Sequence, residues 1–424
     1  MRKRLLVFGL ITAMLISGCG AAKVTESVMA KDESESVEEA PAKEETFISK
    51  AIEEASDSPY TFVQFPEASE PMKEEEKVEE TVEETESMKF AKGLKFGWNL
   101  GNTLDATDGS GLASEVSWGM PYTTKEMIHF VKECGFTSIR IPVSWGKHTS
   151  GTNHTIDAAW MDRVNEIVDW ALEEDLFVII NSHHDCDYYY PSDEKLDASL
   201  AYIEDIWTQV ADRFKDYDER LVFESMNEPR LMNTAIEWWW SGANTDGIAS
   251  IKCINELNNK FVEVVRNSGS NNATRYLMVP SYAANHEFAF NSNFTIPEDS
   301  ANHIMVSVHS YTPYDFAGNA DGYSEWSTPK TSELSFLTRL YKKFAPMGIG
   351  VVVGEFGATN KDNDEDRIAW AKDFTERASK NGISCFVWDN GQTGVGAENF
   401  GLIDRNNLKV FFPDLLDAYL TYYR

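Results

Sequence analysis

The chain has few basic residues for its length. Among its 424 residues Lys and Arg number 38 against 69 Asp and Glu, which gives a formal net charge of -31. Binding a nucleic acid normally requires a basic surface that neutralises the phosphate charge. The shortage of basic residues therefore argues against a nucleic-acid partner, and an uncharged or cationic partner is easier to reconcile with it.

The chain also lacks an apolar run long enough to indicate a membrane span. Its N-terminal apolar stretch, Leu5 to Ile16, is short for that purpose and follows the basic segment "RKR". A basic start, a short apolar stretch and then small residues are typical of a secretory signal peptide. The prediction is a signal peptide over residues 1–18.

The end of this segment, "ISGC", resembles the bacterial lipobox, in which the cysteine is lipidated and becomes the mature N-terminus. The resemblance implies a lipid anchor on Cys19. It also implies a location on the extracellular face of the cell envelope, tethered to a bacterial membrane. The alternative is an ordinary secretory signal with an incidental cysteine.

Closely spaced cysteine pairs are missing as well. Four cysteines remain beyond Cys19, and none belongs to a C-x-x-C motif; they are Cys134, Cys186, Cys253 and Cys385. Their even number in an exported protein permits disulfides, but no spacing identifies a framework. Free buried thiols are the prediction.

The segment that follows the signal peptide is acidic. From Val24 to Lys89 the sequence is interrupted by proline and contains neither glycine nor tryptophan. Such a segment cannot bury enough apolar surface to order itself, and its like charges keep it extended. We expect residues 19–89 to form a lipidated, disordered spacer and residues 90–424 to form the folded domain.

From Phe90 onward, apolar runs rich in Val, Ile and Phe alternate with amphipathic helical patterns. The predicted strands are 95–101, 138–145, 177–185, 221–228, 276–282, 303–311, 350–357 and 384–390. Strands that alternate with helices favour a parallel sheet. Eight such repeats in one domain predict an α/β fold, the (β/α)8 TIM barrel, rather than an open sheet.

Polar or aromatic side chains stand near the end of nearly every predicted strand. They are Asn102, Arg140, His183, His184, Asn227, Glu228, His309, Tyr311, Glu355 and Trp388. In a barrel these strand ends converge on one rim, where active sites are built. Two of the residues, Glu228 and Glu355, are the carboxyl pair that glycosidic cleavage needs. One carboxyl group protonates the leaving oxygen, and the other attacks the anomeric carbon or activates water.

The motifs around these residues resemble those of glycoside hydrolase family 5. They are "GWNLGNTLDA", "IRIPVSW", "NSHHD", "NEP", "VHSYTP", "GEFG" and "CFVWDNG", in that order. "NLGNTLDA" with "NEPR" is similar to the endo-β-1,4-glucanase (cellulase) subfamily of anaerobic fibre-degrading bacteria. The resemblance covers the predicted barrel and implies a retaining mechanism by double displacement.

The resemblance implies a role for each matching residue. Glu228 is the expected acid/base and Glu355 the expected nucleophile. Tyr311 is expected to donate a hydrogen bond to Glu355, and His309 to orient the carboxyl pair. Asn227 is expected to bind the sugar 2-hydroxyl, a contact that strengthens in the transition state.

Arg140 leads to an expectation about proton affinity. A neighbouring cation lowers the pKa of a carboxylate, so Arg140 beside Glu355 should keep that group ionised. Glu228, farther from the cation, should then keep the raised pKa that a proton donor requires.

The segment "HHD" could be mistaken for a metal site. Adjacent residues on a strand point to opposite faces, so His183 and His184 should not bind one ion together. We therefore expect no metal and no cofactor. The resemblance matches His183 to the family's histidine at the rim of the cleft and makes His184 a weaker substrate contact.

Aromatic residues suit a sugar-binding cleft, because sugar rings have apolar faces that stack on flat side chains. By resemblance, Trp388 forms the floor of the cleaving subsite, and Trp238 lies near the leaving-group side. Asn102 and Asp105 are expected to hydrogen-bond sugars on the non-reducing side.

Together these features predict a monomeric, membrane-tethered endo-β-1,4-glucanase that acts on cellulose and related β-glucans. Because loops determine specificity, xyloglucan, mixed-linkage glucan, mannan or xylan stays open as the main substrate. A different class also stays open, a surface lipoprotein that captures glycans without cleaving them. Retention of both Glu228 and Glu355 counts against this last alternative.

Overall fold

The computed structural model describes residues 82–424, apart from the side chains of residues 328 and 329. The predicted signal peptide (1–18), the predicted lipidation site Cys19 and most of the predicted acidic spacer lie outside the described residues.

Eight parallel strands close into a barrel. In chain order they are β1 Phe96–Asn99, β2 Ser138–Ile141, β3 Phe177–Asn181, β4 Leu221–Glu224, β5 Leu277–Asn285, β6 Ile304–Ser310, β7 Gly350–Phe356 and β8 Ser384–Val387. Each strand pairs with its neighbours in the chain, and β8 pairs with β1 to close the ring. The closed parallel sheet confirms the predicted (β/α)8 barrel.

Helices cover the outside of the barrel and one of its ends. The longer ones are α1 Glu86–Gly93, α2 Lys125–Glu133, α3 Ala158–Glu173, α4 Leu196–Phe214, α5 Thr245–Asn267, α6 Phe336–Phe344, α7 Asp364–Lys380 and α8 Pro413–Leu420. One-turn α-helices span His286–Ala289 and Tyr314–Ala317, and 3-10 turns span Gly111–Val116, Gly146–His148, Ser270–Ala273, Thr328–Ser335 and Ala345–Met347. Short antiparallel pairs join Thr149–Ser150 to Thr155–Ile156 and Ile403–Asp404 to Lys409–Val410. Within residues 82–424 no helix has the length and apolar character needed to cross a membrane.

Helix α3 illustrates how the sequence forms these elements. Asp157 caps its N-terminus by accepting hydrogen bonds from the backbone N–H groups of the first turn. Apolar side chains then recur every three or four residues, at Trp160, Val164, Ile167 and Ala171, and all four are buried. This spacing gives the helix one apolar face, which packs in the main hydrophobic core.

The inside of the barrel has an apolar layer below a polar one. Because side chains alternate along a strand, residues two apart face the same side. On β3 the apolar Ile179 is followed by Asn181, and on β4 Val222 is followed by Glu224; all four are fully buried. The apolar members belong to a separate interior cluster, and the polar members lie closer to the carboxyl ends of the strands. The polar layer therefore lies directly beneath any site at the carboxyl ends of the strands.

Helix α1 packs against the amino ends of the strands and corrects the predicted domain boundary. The sequence places residues up to 89 in a disordered spacer, but the helix begins at Glu86 after the capping residue Thr85. Ser87 is fully buried, and Ala91 and Leu94 belong to the interior cluster. The acidic character of the segment concealed these inward-facing residues, so the folded domain extends to at least residue 85.

The four cysteines within the described residues are free, as predicted. Cys134 is half-buried, and the other three, Cys186, Cys253 and Cys385, are buried. Burial raises the pKa of all four thiols, which makes them poor nucleophiles at neutral pH.

Ser87 provides a test of whether α1 is an integral part of the barrel. Its hydroxyl donates to the carbonyl of Ile304 at 2.6 Å and accepts from the N–H of Gly350 at 2.9 Å, so it joins α1 to β6 and β7. Ser87→Ala leaves two buried backbone groups without this partner and should lower the free energy of unfolding by about 1–3 kcal/mol. Urea denaturation measures this loss. The exposed Ser110, whose side chain makes no capping hydrogen bond, provides the matched control Ser110→Ala, and equal stability of the two variants would contradict the assignment.

Candidate active site

The two carboxylates predicted from the sequence lie together at the carboxyl ends of the strands. Glu355 is on β7 and pairs in register with His309 on β6, whereas Glu228 lies just beyond the end of β4. One oxygen of each carboxyl group lies within 4.8 Å of the other. The barrel therefore brings together two residues that are far apart in the sequence.

Arg140, on β2, is completely buried beneath this pair. Its Nε donates to Glu224 at 2.8 Å, and its Nη2 donates to the side-chain oxygen of Asn227 at 2.7 Å. Its Nη1 donates to Asn99 at 3.0 Å and to Oε1 of Glu355 at 2.7 Å. A buried guanidinium stays charged, and these acceptors compensate for the water that it has lost.

His309 lies between the two carboxylates. Its Nδ1 is 2.8 Å from Oε1 of Glu228 and 3.6 Å from Oε2 of Glu355. The hydroxyl of Tyr311 donates to Oε2 of Glu355 at 3.1 Å. Arg230 approaches the other oxygen of Glu228 at 3.8 Å. Each carboxylate is therefore held by its own set of donors.

The proton affinities are opposite to those expected from Arg140 alone. Burial raises the pKa of Glu228, but the hydrogen bond from His309 and the charges of His309 and Arg230 outweigh it, so this pKa lies below its usual value. Burial also raises the pKa of Glu355, and the charges of His309 and Arg140 offset it only in part. The expectation of a low pKa for Glu355 and a raised pKa for Glu228 is wrong for the substrate-free site.

Two features explain this reversal. Arg140 shares its charge between Glu355 and the fully buried Glu224, so Glu355 does not receive all of its effect. His309 forms its short contact with Glu228 rather than with Glu355. Burial lowers the pKa of His309, but the charges of Glu355 and Glu228 overcome this effect and raise its pKa.

One side of the cleft, here called the His183 side, is lined by Asn102, Trp118, His183, His184 and Trp388. The rings of Trp388 and His183 are nearly parallel, with centroids 5.8 Å apart. Gly101 lies directly against Trp388, since a Cβ at this position would come within 2.9 Å of the indole ring. The next residue, Asn102, has a positive φ of 57°, and its N–H donates to Asp105 at 3.0 Å.

Asp105 and the two histidines carry little charge at mildly acidic pH. Burial raises the pKa of Asp105 to about 7 and lowers the pKa of His184 to about 4. Burial also holds the pKa of His183 well below its usual value. The His183 side thus presents mainly neutral hydrogen-bonding groups to a ligand.

The prediction that His183 and His184 face opposite directions is wrong. Strand β3 ends at Asn181, so strand alternation no longer applies, and the two rings meet edge to face with centroids 4.4 Å apart. Together with Asp105 they offer three ligand atoms within 4.8 Å of one another.

The hydrogen bonds of this cluster nevertheless do not suit a metal ion. The carboxylate of Asp105 already accepts from two backbone N–H groups. The amide of Asn181 is oriented by accepting from Val143 N–H and donating to Glu224, so Nδ1 of His183 must accept from it. The proton of His183 then lies on Nε2, which faces the cleft and so cannot be a metal ligand.

The other side of the cleft, here called the Trp238 side, is an opening of about 270 Å³ that reaches from Glu228 to the loops after β4 and β5. Trp238 and Trp239 line it, and the guanidinium of Arg230 lies 3.8 Å from the ring centre of Trp238. Trp239 is 51 % exposed, whereas Trp240 is buried against Phe288. Only the third tryptophan of "EWWW" therefore belongs to the core.

The structure adds residues to the site that the sequence analysis missed. They are Trp118 and Phe400 at the rim, Glu224 beneath Arg140, and Arg230 beside Glu228. Trp118 stands in a loop rich in Gly and Ser, and Arg230 follows "NEP" directly, so both had a sequence signal. No sequence pattern pointed to Glu224, because the sequence of a strand does not show which side chain a carboxylate within it will contact.

Comparison with known proteins identifies the family. Residues 101–394 match the model of the cellulase family, glycosyl hydrolase family 5. The chain belongs to this family and is a glycoside hydrolase, as the sequence predicted. The eight strands and the paired carboxylates at their carboxyl ends agree with this assignment.

Relatives of this chain include endoglucanases and other β-glucanases. Endoglucanase 1 of Ruminococcus albus is 44% identical over 329 residues, which cover 77% of this chain and 79% of the relative. A family 5 lichenase from Caldicellulosiruptor sp. F32, solved with cellotetraose, is 43% identical with a TM-score of 0.78, covering 81% of this chain and 96% of the other. A xyloglucan-specific endo-β-1,4-glucanase from a metagenomic library, solved with cellotriose, is 39% identical with a TM-score of 0.74, covering 79% and 98%. These relatives support endoglucanase activity on β-glucans.

His309 allows a test of the proton affinities. The positive charge of His309 lowers the pKa of both Glu228 and Glu355, so His309→Asn, which keeps a donor but removes the charge, should raise both. Both limbs of a bell-shaped profile of kcat/KM against pH should therefore move to higher pH, as hydrolysis of a soluble β-glucan between pH 3 and about 9 would reveal. A profile that stays in place or moves to lower pH would contradict the assigned electrostatics. His129→Asn, at an exposed histidine on α2, is the matched control.

Proposed function

We propose that the protein is a retaining endo-β-1,4-glucanase that cleaves internal bonds of cellulose-type chains and related β-glucans. The observation that carries this proposal is the close approach of Glu228 and Glu355, with oxygens within 4.8 Å. Retaining glycosidases keep their two carboxyl groups about 5–5.5 Å apart, whereas inverting enzymes leave about 6.5–9.5 Å for a water molecule. The short separation favours direct attack by one of the carboxylates.

Glu355 is the nucleophile in this proposal. Its carboxylate attacks the anomeric carbon and forms a glycosyl ester as the bond to the leaving oxygen breaks. Arg140 at 2.7 Å and Tyr311 at 3.1 Å hold its two oxygens, so the carboxylate is fixed before the substrate arrives. In the second step water attacks the anomeric carbon, and Glu355 departs as the carboxylate.

Glu228 is the acid in the first step and the base in the second. It gives its proton to the leaving oxygen, and later takes one from the attacking water. A bound glucan chain excludes water from Glu228, and burial is the effect that raises its pKa. Substrate binding thus moves the proton affinity of Glu228 in the direction that an acid requires.

The neighbouring side chains position the sugar. Asn227 is held by its oxygen on Arg140, which leaves its amide N–H groups for the 2-hydroxyl. Trp388 supplies a flat surface under the sugar at the cleavage point. On the His183 side, the neutral His183 and His184, with Asn102, suit the hydroxyls of the non-reducing part of the chain. Asp105, which was expected to bind a sugar as well, is fully buried and instead accepts from the backbone N–H groups of Asn102 and Thr103.

The leaving-group part of the glucan lies on the Trp238 side in this proposal. Arg230 covers one face of Trp238 at 3.8 Å, which fixes the ring beside Glu228. The exposed Trp239 lies farther along the same wall. A cleft open at both sides of the catalytic pair suits cleavage within a chain rather than at its end.

The first experiment measures products from carboxymethylcellulose, mixed-linkage glucan, xyloglucan, glucomannan and xylan. Mixed-linkage glucan and xyloglucan belong in this panel because relatives are a lichenase and a xyloglucan-specific enzyme. The proposal expects cleavage of the glucans with a rapid fall in viscosity, as internal cuts produce. Binding without hydrolysis of any of them would instead favour the glycan-capture protein.

The catalytic roles are tested by substitution and chemical rescue. Glu355→Ala should abolish hydrolysis, and Glu228→Ala should slow it by roughly 10²–10⁴-fold on substrates with poor leaving groups. Azide added with an activated aryl cellobioside should give the α-glycosyl azide with Glu355→Ala and the β-azide with Glu228→Ala. The exposed Glu298, in the loop that enters β6, provides the control Glu298→Ala. Exchanged azide stereochemistry would reverse the two roles.

The location of the protein is a separate part of the proposal, based on residues outside those that the structure describes. The basic start, the apolar stretch and "ISGC" support export and lipid attachment at Cys19. A diacylglycerol group joined to Cys19 by a thioether would carry two acyl chains, enough to hold the protein firmly on a membrane.

Cys19→Ala tests the anchor. In a bacterial host, the protein with its native sequence should fractionate with membranes. Cys19→Ala should leave the membrane fraction, because it removes the sulfur atom to which the lipid would attach. Western blotting of membrane and soluble fractions measures the distribution. Cys134→Ala, at a half-buried cysteine, should stay with the membrane. Equal membrane association of the two variants would argue for an anchor other than Cys19.

A further inference from the structure

A third carboxylate lies beneath the catalytic pair. Glu224, at the end of β4, has no exposed surface. Its Oε2 accepts from Arg140 Nε at 2.8 Å and from Asn181 Nδ2 at 3.0 Å. Its Oε1 accepts from the hydroxyl of Ser307 on β6 at 2.5 Å. Because it has no exposed surface, it cannot touch a substrate.

Arg140 therefore serves two carboxylates with one positive charge. Its Nη2 is 2.7 Å from Glu224, and its Nη1 is 2.7 Å from Glu355. If Glu224 were neutral, Arg140 and Glu355 would form a simple ion pair with no net charge. With Glu224 ionised, the three groups together carry a net charge of -1, and Glu355 is less strongly stabilised as an anion.

We propose that Glu224 is a positioning residue that shares Arg140 with Glu355 and so limits how strongly Arg140 stabilises the ionised nucleophile. The sharing keeps the nucleophile basic enough to attack, whereas full pairing with Arg140 would make it a weaker base. The inference rests on the proposed role of Glu355 as the nucleophile.

Other titratable groups face Glu355 from the strands around it. They are His183, after the end of β3, whose Nε2 is 3.9 Å from Oε1 of Glu355; Glu228, beyond the end of β4; His309 on β6, whose Nδ1 is 3.6 Å from Oε2 of Glu355; and Tyr311 after β6. A change at Glu224 leaves these groups in place and acts on Glu355 through Arg140. Its effect on the ionisation of Glu355 should therefore have one sign.

Glu224→Gln is the sharpest variant, because glutamine can satisfy the same partners. An amide oxygen in place of Oε2 accepts from Arg140 and Asn181, and an amide nitrogen in place of Oε1 donates to the hydroxyl of Ser307. The substitution removes one charge and preserves the shape. Arg140 then acts fully on Glu355, whose pKa should fall.

The measurement uses an activated aryl β-cellobioside, whose leaving group needs no protonation. The acidic limb of kcat/KM then reports the ionisation of Glu355. Glu224→Gln should move this limb to lower pH by about one unit. An unmoved limb, or one moved to higher pH, would overturn the proposal, even if activity falls at every pH.

Two controls separate charge from geometry. Ser307→Ala removes a hydrogen bond to the same carboxylate but keeps its charge, so its acidic limb should stay at the wild-type position. Glu224→Asp also keeps the charge, so its acidic limb should likewise stay at the wild-type position. It is the variant to measure if Glu224→Gln does not fold. A limb that moves with Glu224→Asp as far as expected for Glu224→Gln would show that geometry rather than charge is responsible, and would overturn the proposal. Azide rescue of Glu355→Ala tests the nucleophile independently.

Discussion

The buried guanidinium of Arg140 is the interaction on which the rest of the site depends. A permanent charge without access to water must be surrounded by acceptors, or it destabilises the fold by several kcal/mol. Its acceptors come from β1, β4 and β7 and from the segment after β4, namely Asn99, Glu224, Glu355 and Asn227. The same hydrogen bonds therefore satisfy the charge and join four parts of the barrel. They also fix Glu355 and Asn227, two of the side chains proposed to act on the sugar. The need of a buried positive charge for acceptors thus fixes the positions of side chains at the rim.

This arrangement gives the two carboxyl groups proposed to be catalytic different surroundings. Glu355 is buried and shares its cation with a competitor, whereas Glu228 is nearer solvent and bound to His309. Identical side chains acquire different proton affinities only from such differences in environment. Because the two groups lie close together, however, their titrations are linked, and each depends on the charge of the other. In the proposed mechanism a bound glucan chain becomes part of this balance, since it would bury Glu228 further while Glu355 is already enclosed.

The sequence predicted the fold and the residues of the site better than it predicted their contacts. Eight apolar runs separated by helical patterns have few solutions other than a barrel, and strand ends such as "NEP" and "GEFG" then had to meet at one rim. The pKa order failed because no spacing in the sequence reveals that Nδ1 of His309 contacts Glu228 more closely than Glu355. His183 and His184 were placed on opposite faces because the end of β3 at Asn181 could not be located within "FVIINSHHD". The start of α1 was missed because only Ser87 and Met88 of its first turn are buried in an acidic segment.

The division between barrel and loops explains how relatives can share this chemistry and still differ in the substrate they are named for. Arg140, Glu224 and Glu355 lie on strands, where hydrogen-bonded neighbours leave little freedom. Trp118, Trp238 and Trp239 lie on loops, where a change of sequence alters the cleft without disturbing the charges beneath it. Aromatic side chains stack on the apolar faces of sugars, so their positions in the cleft are a route by which loops can alter which branched glucan chains fit. The lichenase and the xyloglucan-specific enzyme among the relatives keep the same fold at 43% and 39% identity. Substitutions in the loops that carry these tryptophans should therefore change which glucans the protein prefers. Substitutions in the hydrogen-bonded network around Arg140 should instead change the hydrolytic reaction itself.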